Sequence, residues 1–83
     1  MEYNELKRIV LELIESSHNI DSFRIQALLR RLFRRKFSRH AVEMALYRYY
    51  RQGLLSRERR GRRYYYVITD KGKRRLEWLQ STM

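Results

Sequence analysis

Eighty-three residues, with 20 Lys and Arg against 9 Asp and Glu, give a formal net charge of +11, and the chain has no cysteine. A chain of this length buries only ~60–65% of its unfolded surface, enough for one small core over residues 1–83 and not for a deep substrate cavity. Hydrophobic residues at 43% and aromatics at 13% exclude a disordered basic tail; the missing thiols exclude a disulfide scaffold, thiolate catalysis and Cys-ligated zinc, and a cytoplasmic protein is expected.

From Tyr3 to Ser17, Leu6, Ile9, Val10, Leu13 and Ile14 recur at spacings of three and four, the stripe of an amphipathic first helix, with Glu5, Lys7, Arg8, Glu12 and Glu15 mostly outside it. His18-Asn19 ends that helix, and an extended piece at Ile20, with a one-residue ladder there, leads to Asp21 or Ser22 as the cap of a second. The second helix spans about 22–35 and buries Ile25, Leu28, Leu29 and Leu32. After the tight link Lys36-Phe37, Ser38 caps a third helix over about 39–52, and Phe37 packs on Val42 as a hydrophobic staple. This helix buries Val42, Ala45, Leu46 and Tyr49 and stops at Gly53. The period then changes to two: 54–58 is a strand, 59–63 a basic turn and 64–69 a second strand with Tyr64, Tyr66 and Ile68 inward, a β-hairpin with a basic tip over 54–69. Thr69 or Asp70 caps a last helix over about 70–81, where Leu76 and Leu79 face inward and Trp78 is partly exposed. The fold class is mainly α with a small β-hairpin, in the order α-α-α-β-β-α.

The charge is polarised along this order. Residues 1–21 hold two bases and five acids, net −3, residues 22–69 fourteen bases against Glu43 and Glu58, net +12, and residues 70–83 a net +2. A solubilising surface interleaves its signs, whereas a basic centre of this size points to a polyanion. The longest apolar runs are too short for a membrane span, and Met1-Glu2-Tyr3-Asn4-Glu5 lacks the basic start of a leader, so neither is expected.

The string Ser38-Arg39-His40-Ala41-Val42, then Leu46, Tyr49 and Gln52-Gly53-Leu54-Leu55, then Arg62-Arg63-Tyr64-Tyr65-Tyr66-Val67-Ile68-Thr69-Asp70-Lys71-Gly72 resembles winged helix-turn-helix DNA-binding domains. The likeness is strongest to the small MarR/PadR/ArsR-like regulators of bacteria and archaea and covers roughly Ile20 to Leu76. It implies a winged helix-turn-helix fold in which the third helix is the recognition helix, the Arg-Arg-Tyr-Tyr-Tyr strand closes the wing, and Thr69-Asp70-Lys71-Gly72 opens the last helix. It also implies a transcription regulator, and winged helices that bind RNA or protein keep those partners open.

With its buried set assigned, the third helix turns Arg39, His40, Glu43, Met44, Tyr47, Arg48 and Arg51 outward. Arg39, His40, Glu43, Met44 and Tyr47 are the candidates for base readout in a major groove, with Met44 and Tyr47 available to a thymine methyl or to a neighbouring loop or dimer partner. Glu43 either accepts from a cytosine amine or pairs with Arg39 or Tyr47. Ser38, Arg48 and Arg51, with Arg30, Arg31, Arg34, Arg35 and Lys36 of the second helix, are candidate backbone contacts, some of the latter solvated with stems along the core. Arg57, Arg59, Arg60, Arg62 and Arg63 around Gly61 form the wing contact to a phosphate backbone or minor groove. Tyr64, Tyr65 and Tyr66 either stack on bases or pack the strand. His18 and His40 sit apart, and neither a metal-ligand spacing nor a Gly-rich phosphate loop occurs, so no enzyme activity, cofactor or metal is expected. Tyr3, Leu11, Trp78 and Leu79 on the terminal helices are candidates for a homodimer contact that leaves the basic centre free. The expected function is sequence-specific double-stranded DNA binding by a homodimeric repressor; the alternative is an RNA-binding or nonspecific chromatin-like protein. High charge and Arg and Tyr usage agree with a thermophilic, archaeal or viral source.

Overall fold

In the computed structural model, which describes residues 2–34 and 37–82, α1 (Tyr3–Ser17) lays Val10, Leu11 and Ile14 into the core. Its buried arc is wider than the expected stripe because α1 packs against the last helix, the central strand and the second helix together. Leu11, expected beside the stripe, is fully buried, and Lys7, expected on the polar side, is buried as well. The left-handed residues His18 (φ 50°) and Asn19 (φ 53°) turn the chain from α1 into β1 (Ile20–Asp21). The ladder there has two residues rather than one.

Asp21 is the cap chosen for α2 (Ser22–Phe33): its Oδ1 accepts from the Arg24 amide at 2.9 Å, satisfying a donor that the first turn leaves open. The other carboxylate oxygen receives the Arg63 guanidinium at 3.0 Å, which ties the wing to the same residue. Replacing Asp21 by Ala therefore removes a cap worth ~1 kcal/mol and an ion pair worth ~0–1 kcal/mol with Arg63 half exposed. In a domain of this size, a melting temperature lower by about 5–15 °C is expected by calorimetry; an unchanged midpoint would show that neither interaction forms.

α2 ends at Phe33, short of the boundary near Arg35, because Arg34 takes a left-handed conformation (φ 51°, ψ 32°). Ile25 and Leu29 are buried as expected and Leu28 is half-buried against the core, but Leu32 is exposed while Phe33 beside it packs on the core. Ser38 caps α3 (Arg39–Arg51) by accepting from the Ala41 amide at 3.0 Å, and Val42, Ala45, Leu46 and Tyr49 form its buried face as expected. Phe37 lies partly buried against the core, edge-on to Phe33 at 6.1 Å between ring centroids.

The hairpin occupies the expected span, but its turn is tighter than expected. β2 (Leu55–Arg60) and β3 (Arg63–Ile68) extend through the arginines and leave Gly61-Arg62 as a two-residue turn, with Gly61 at φ +63° supplying the left-handed geometry that such turns demand. The antiparallel sheet runs β1-β3-β2, with Leu55 opposite Ile68, Arg57 opposite Tyr66 and Arg60 opposite Arg63. Tyr66 and Ile68 point into the core, as alternation predicts, and Tyr64 stays at the surface.

Thr69 joins three elements at the wing's base. Its hydroxyl donates to the Gly53 carbonyl at 2.7 Å and accepts from the Gly72 amide at 3.0 Å, capping α4 (Asp70–Thr82), while its own amide donates to the Leu54 carbonyl. Leu76 and Leu79 point inward, and Trp78 lies at the surface. The chain therefore has the winged helix-turn-helix fold, in the expected order with β1 added to the sheet. Among the described residues, no helix is long and apolar enough to cross a membrane.

Candidate nucleic-acid interface

Packing Val42, Ala45, Leu46 and Tyr49 inward leaves Arg39, His40, Glu43, Met44, Tyr47, Arg48 and Arg51 of α3 exposed. The wing stands beside this face. Together with the first turn of α2, the two enclose a cleft of about 370 Å³, lined by Ser22, Phe23, His40, Glu43, Met44, Tyr47, Arg57, Arg62, Arg63, Tyr64 and Tyr66. Four of the five base-readout candidates, His40, Glu43, Met44 and Tyr47, thus share one concave surface with Arg57, Arg62 and Arg63 of the wing, while Arg39, Arg59 and Arg60 do not line it.

Glu43 is part of this lining, accepting from Ser22 Oγ at 3.2 Å and facing Arg39 Nε at 3.8 Å through the same oxygen, Oε1. Of the two partners expected for this acid within the chain, Arg39 is thus the one it meets. Both side chains are about half exposed, so the pair adds little stability and instead sets the position of the acid.

The five wing arginines divide by what they touch. Arg57 is enclosed by tyrosines, its guanidinium carbon 4.1 Å from the Tyr64 ring centroid, 4.2 Å from Tyr50 and 5.7 Å from Tyr47. Burial alone would lower its pKa, but the Tyr66 hydrogen bond and the fields of Tyr64, Tyr66 and Tyr50 outweigh it and raise the pKa. The Tyr66 phenol is raised in turn, by burial, against that same hydrogen bond. Arg57 thus lies between the wing and α3 with four phenol groups about it, those of Tyr64, Tyr50, Tyr47 and Tyr66.

Arg63 holds Asp21 and lies 4.3 Å from the Phe23 centroid, with Arg39 at 4.6 Å from the same ring. Arg59 donates to the Gly61 carbonyl at 3.1 Å, and Arg60 pairs with Glu58 at 3.3 Å and lies over Tyr65. Arg62, at the turn and exposed, makes no ion pair, hydrogen bond or ring contact within the described residues. It is the wing cation most available to a ligand.

The structure does not bring every candidate to this cleft. Arg30, Arg31 and Arg34 are exposed at the far end of α2, ~12–18 Å along the helix axis from Ser22, and do not line the cleft. Arg35 and Lys36 lie outside the described residues. Arg48 leans over Tyr3 at 5.7 Å, and Ser38 serves as a helix cap.

Behind α3, Lys7 is buried with its ammonium donating to Gln52 Oε1 at 2.9 Å, 5.1 Å from the Tyr3 ring and 5.5 Å from Tyr49. A hydrogen bond with Gln52, helped by the charge of Lys7 and by Arg48, holds the Tyr3 phenol below its usual value against the opposing effect of burial. Burial pushes the Tyr49 phenol up to about 12. Of the four dimer candidates, Leu11 and Leu79 are consumed by the chain's own core, and Tyr3 and Trp78 remain at the surface. Among the described residues, no group of three His, Cys, Asp or Glu is placed to hold a metal ion.

Sequence reasoning missed Phe23 and Ser22, which line the cleft from α2, and the commitment of Arg57 and Arg63 to partners within the chain. A two-residue turn at Gly61-Arg62 is the available signal, since it sets Arg57 opposite Tyr66 by counting back along both strands.

No protein-family model matches the chain, and no curated protein matches it. Among solved structures, it is similar to RosR. The complex structure of hsRosR-S1 superposes with a TM-score of 0.80 at 16% identity, covering 93% of this chain and 72% of that one. The complex structure of hsRosR-S4 gives 0.79 at 17% identity, over 93% and 70%. H. salinarum RosR grown from NaBr gives 0.77 at 16% identity, over 99% and 76%. At such identities the likeness is one of fold, and what this chain shares with the RosR structures is the winged-helix architecture.

Proposed function

We propose that the chain is a winged-helix regulator of the MarR/PadR/ArsR-like kind, non-enzymatic and cytoplasmic, that binds double-stranded DNA sequence-specifically as a homodimer and acts as a repressor by occlusion. The observation that carries this reading is the shared concave surface: the exposed face of α3 and the arginine-rich wing border one cleft. A helix face bearing Arg39, His40, Glu43, Met44 and Tyr47 offers donors, an acceptor and apolar contacts to major-groove base edges. Beside it, Arg62 reaches the flanking backbone, with Arg30, Arg31, Arg34, Arg48 and Arg51 adding phosphate contacts. Two of the similar RosR structures are complexes, which agrees with a fold used for binding a partner.

One such module buries ~600–1,000 Å² on DNA, enough for modest specificity only, which favours a dimer. Tyr3 and Trp78 are the exposed apolar positions on the terminal helices through which it would form. Two copies of α3 would then enter successive major grooves ~34–36 Å apart.

Selection of bound sequences from a random duplex pool at ~150 mM salt, with structured RNA as competitor, tests the reading, because salt suppresses the phosphate contribution. An inverted repeat is expected; a pool that stays random points to nonspecific binding, and displacement by RNA to an RNA-binding protein. On the selected site, Arg39→Ala and His40→Ala are expected to cost ~1–3 kcal/mol and relax discrimination at one base pair each, whereas Arg62→Ala weakens all sequences alike. Competition binding against single-base variants distinguishes the two patterns.

A further inference from the structure

Four of the eight large hydrophobic side chains exposed among the described residues, Phe23, Met44, Tyr47 and Tyr64, line the one cleft between α3 and the wing. Contact with an intact duplex does not account for this concentration. Base edges in a groove offer hydrogen-bonding groups and methyls, and the face of a ring is met only by a base that has left its stack. Several of these rings already carry a cation, Arg57 over Tyr64 at 4.1 Å and Arg39 and Arg63 against Phe23. Guanidinium and aromatic faces are the surfaces on which unpaired bases stack.

The charges within the cleft also sort the parts of a nucleotide. Arg62, exposed on the cleft lining and with no ion pair, hydrogen bond or ring contact among the described residues, suits a phosphate. Glu43, half exposed on the same lining as the rings, would repel one. Its Oε1 is engaged by Ser22 and Arg39, while Oε2 has no hydrogen-bond partner among the described residues and can accept from the exocyclic amine of a base.

We propose that this cleft receives a single unpaired, amine-bearing nucleotide of a DNA strand, its base against Tyr64 and Tyr47, its amine toward Glu43 and its phosphate on Arg62. The inference rests on the nucleic-acid reading above and adds to it a preference for DNA with a displaced base.

The test compares three DNAs of one arbitrary sequence at ~50 mM salt: an intact duplex, the duplex with one extra unpaired 2-aminopurine, and the duplex with an unpaired abasic site in its place. The abasic bulge controls for the flexibility that any bulge introduces. Fluorescence anisotropy is expected to give about 5- to 150-fold tighter binding of the 2-aminopurine bulge than of the abasic bulge, with 2-aminopurine emission quenched on binding. That ratio should collapse in Tyr64→Leu and persist in Tyr64→Phe, which keeps the ring; melting curves establish that both variants fold. Equal affinity for the two bulges, with duplex binding intact, overturns the inference and leaves the proposed function standing. Failure to bind all three DNAs overturns both.

Discussion

Replacing Gly72 by Ala is expected to cost about 3 kcal/mol, the upper part of the range for an overpacked core, and to lower the melting temperature by roughly 10–20 °C. Gly72 is buried in the first turn of α4, where a Cβ would overlap the carbonyl oxygen of Leu54 and lie 2.7 Å from Ile68 Cγ1 and 3.0 Å from the Leu54 carbonyl carbon. The Leu54 carbonyl cannot retreat cheaply, since it accepts the Thr69 amide at 3.0 Å and Leu54 itself is packed in the core. α4 would instead move away, pulling Leu76 and Leu79 off α1. Ala is ordinarily the better helix former by ~1 kcal/mol, so stabilisation is the outcome if α4 does not press on the strand. Thermal unfolding of G72A alongside G61A separates the causes, because an added Cβ at Gly61 meets nothing within 4 Å and bears only the cost of φ +63°.

Affinity for duplex DNA is expected to fall by ~10³–10⁵ between 50 and 200 mM salt, the dependence that accompanies six to ten phosphate contacts. The structure shows which cations are available for that exchange. Arg8, Arg39, Arg60 and Arg63 already face carboxylates, whereas Arg30, Arg31, Arg34, Arg51 and Arg62 have no ion pair among the described residues. Each such cation that meets a phosphate frees counterions condensed on the nucleic acid, and that release drives binding. Changing Arg30, Arg31 and Arg34 together to Gln should reduce the slope of log K against log salt by ~3, about one for each phosphate no longer neutralised. Titrations at four salt concentrations would measure it; a wild-type slope near zero would exclude a polyanion as the ligand.

Much of this molecule was legible in local pattern. Spacings of three and four located the helices, and Ser38 and Thr69 stood where caps form. The exposed face of α3 followed from its buried one, because in a helix the inward residues leave only one arc for the rest. Alternation likewise put Tyr66 and Ile68 inside, since side chains of a strand can point only two ways.

What only tertiary structure decided depends on partners far along the chain. Lys7 is buried because Gln52, 45 residues away, offers an acceptor beside the Tyr49 ring. Arg63 is held by Asp21, 42 residues away, and Arg57 by tyrosines from both α3 and β3, so residues that read as identical wing cations are brace, tether and free charge. Leu11 and Leu79 look alike to Tyr3 and Trp78 as apolar residues on terminal helices, yet α1 and α4 pack on each other and bury the first two. Periodicity determines which way a side chain points within its own element; which element it meets is set by how helices and sheet pack, and that decided which arginines remain free for a ligand.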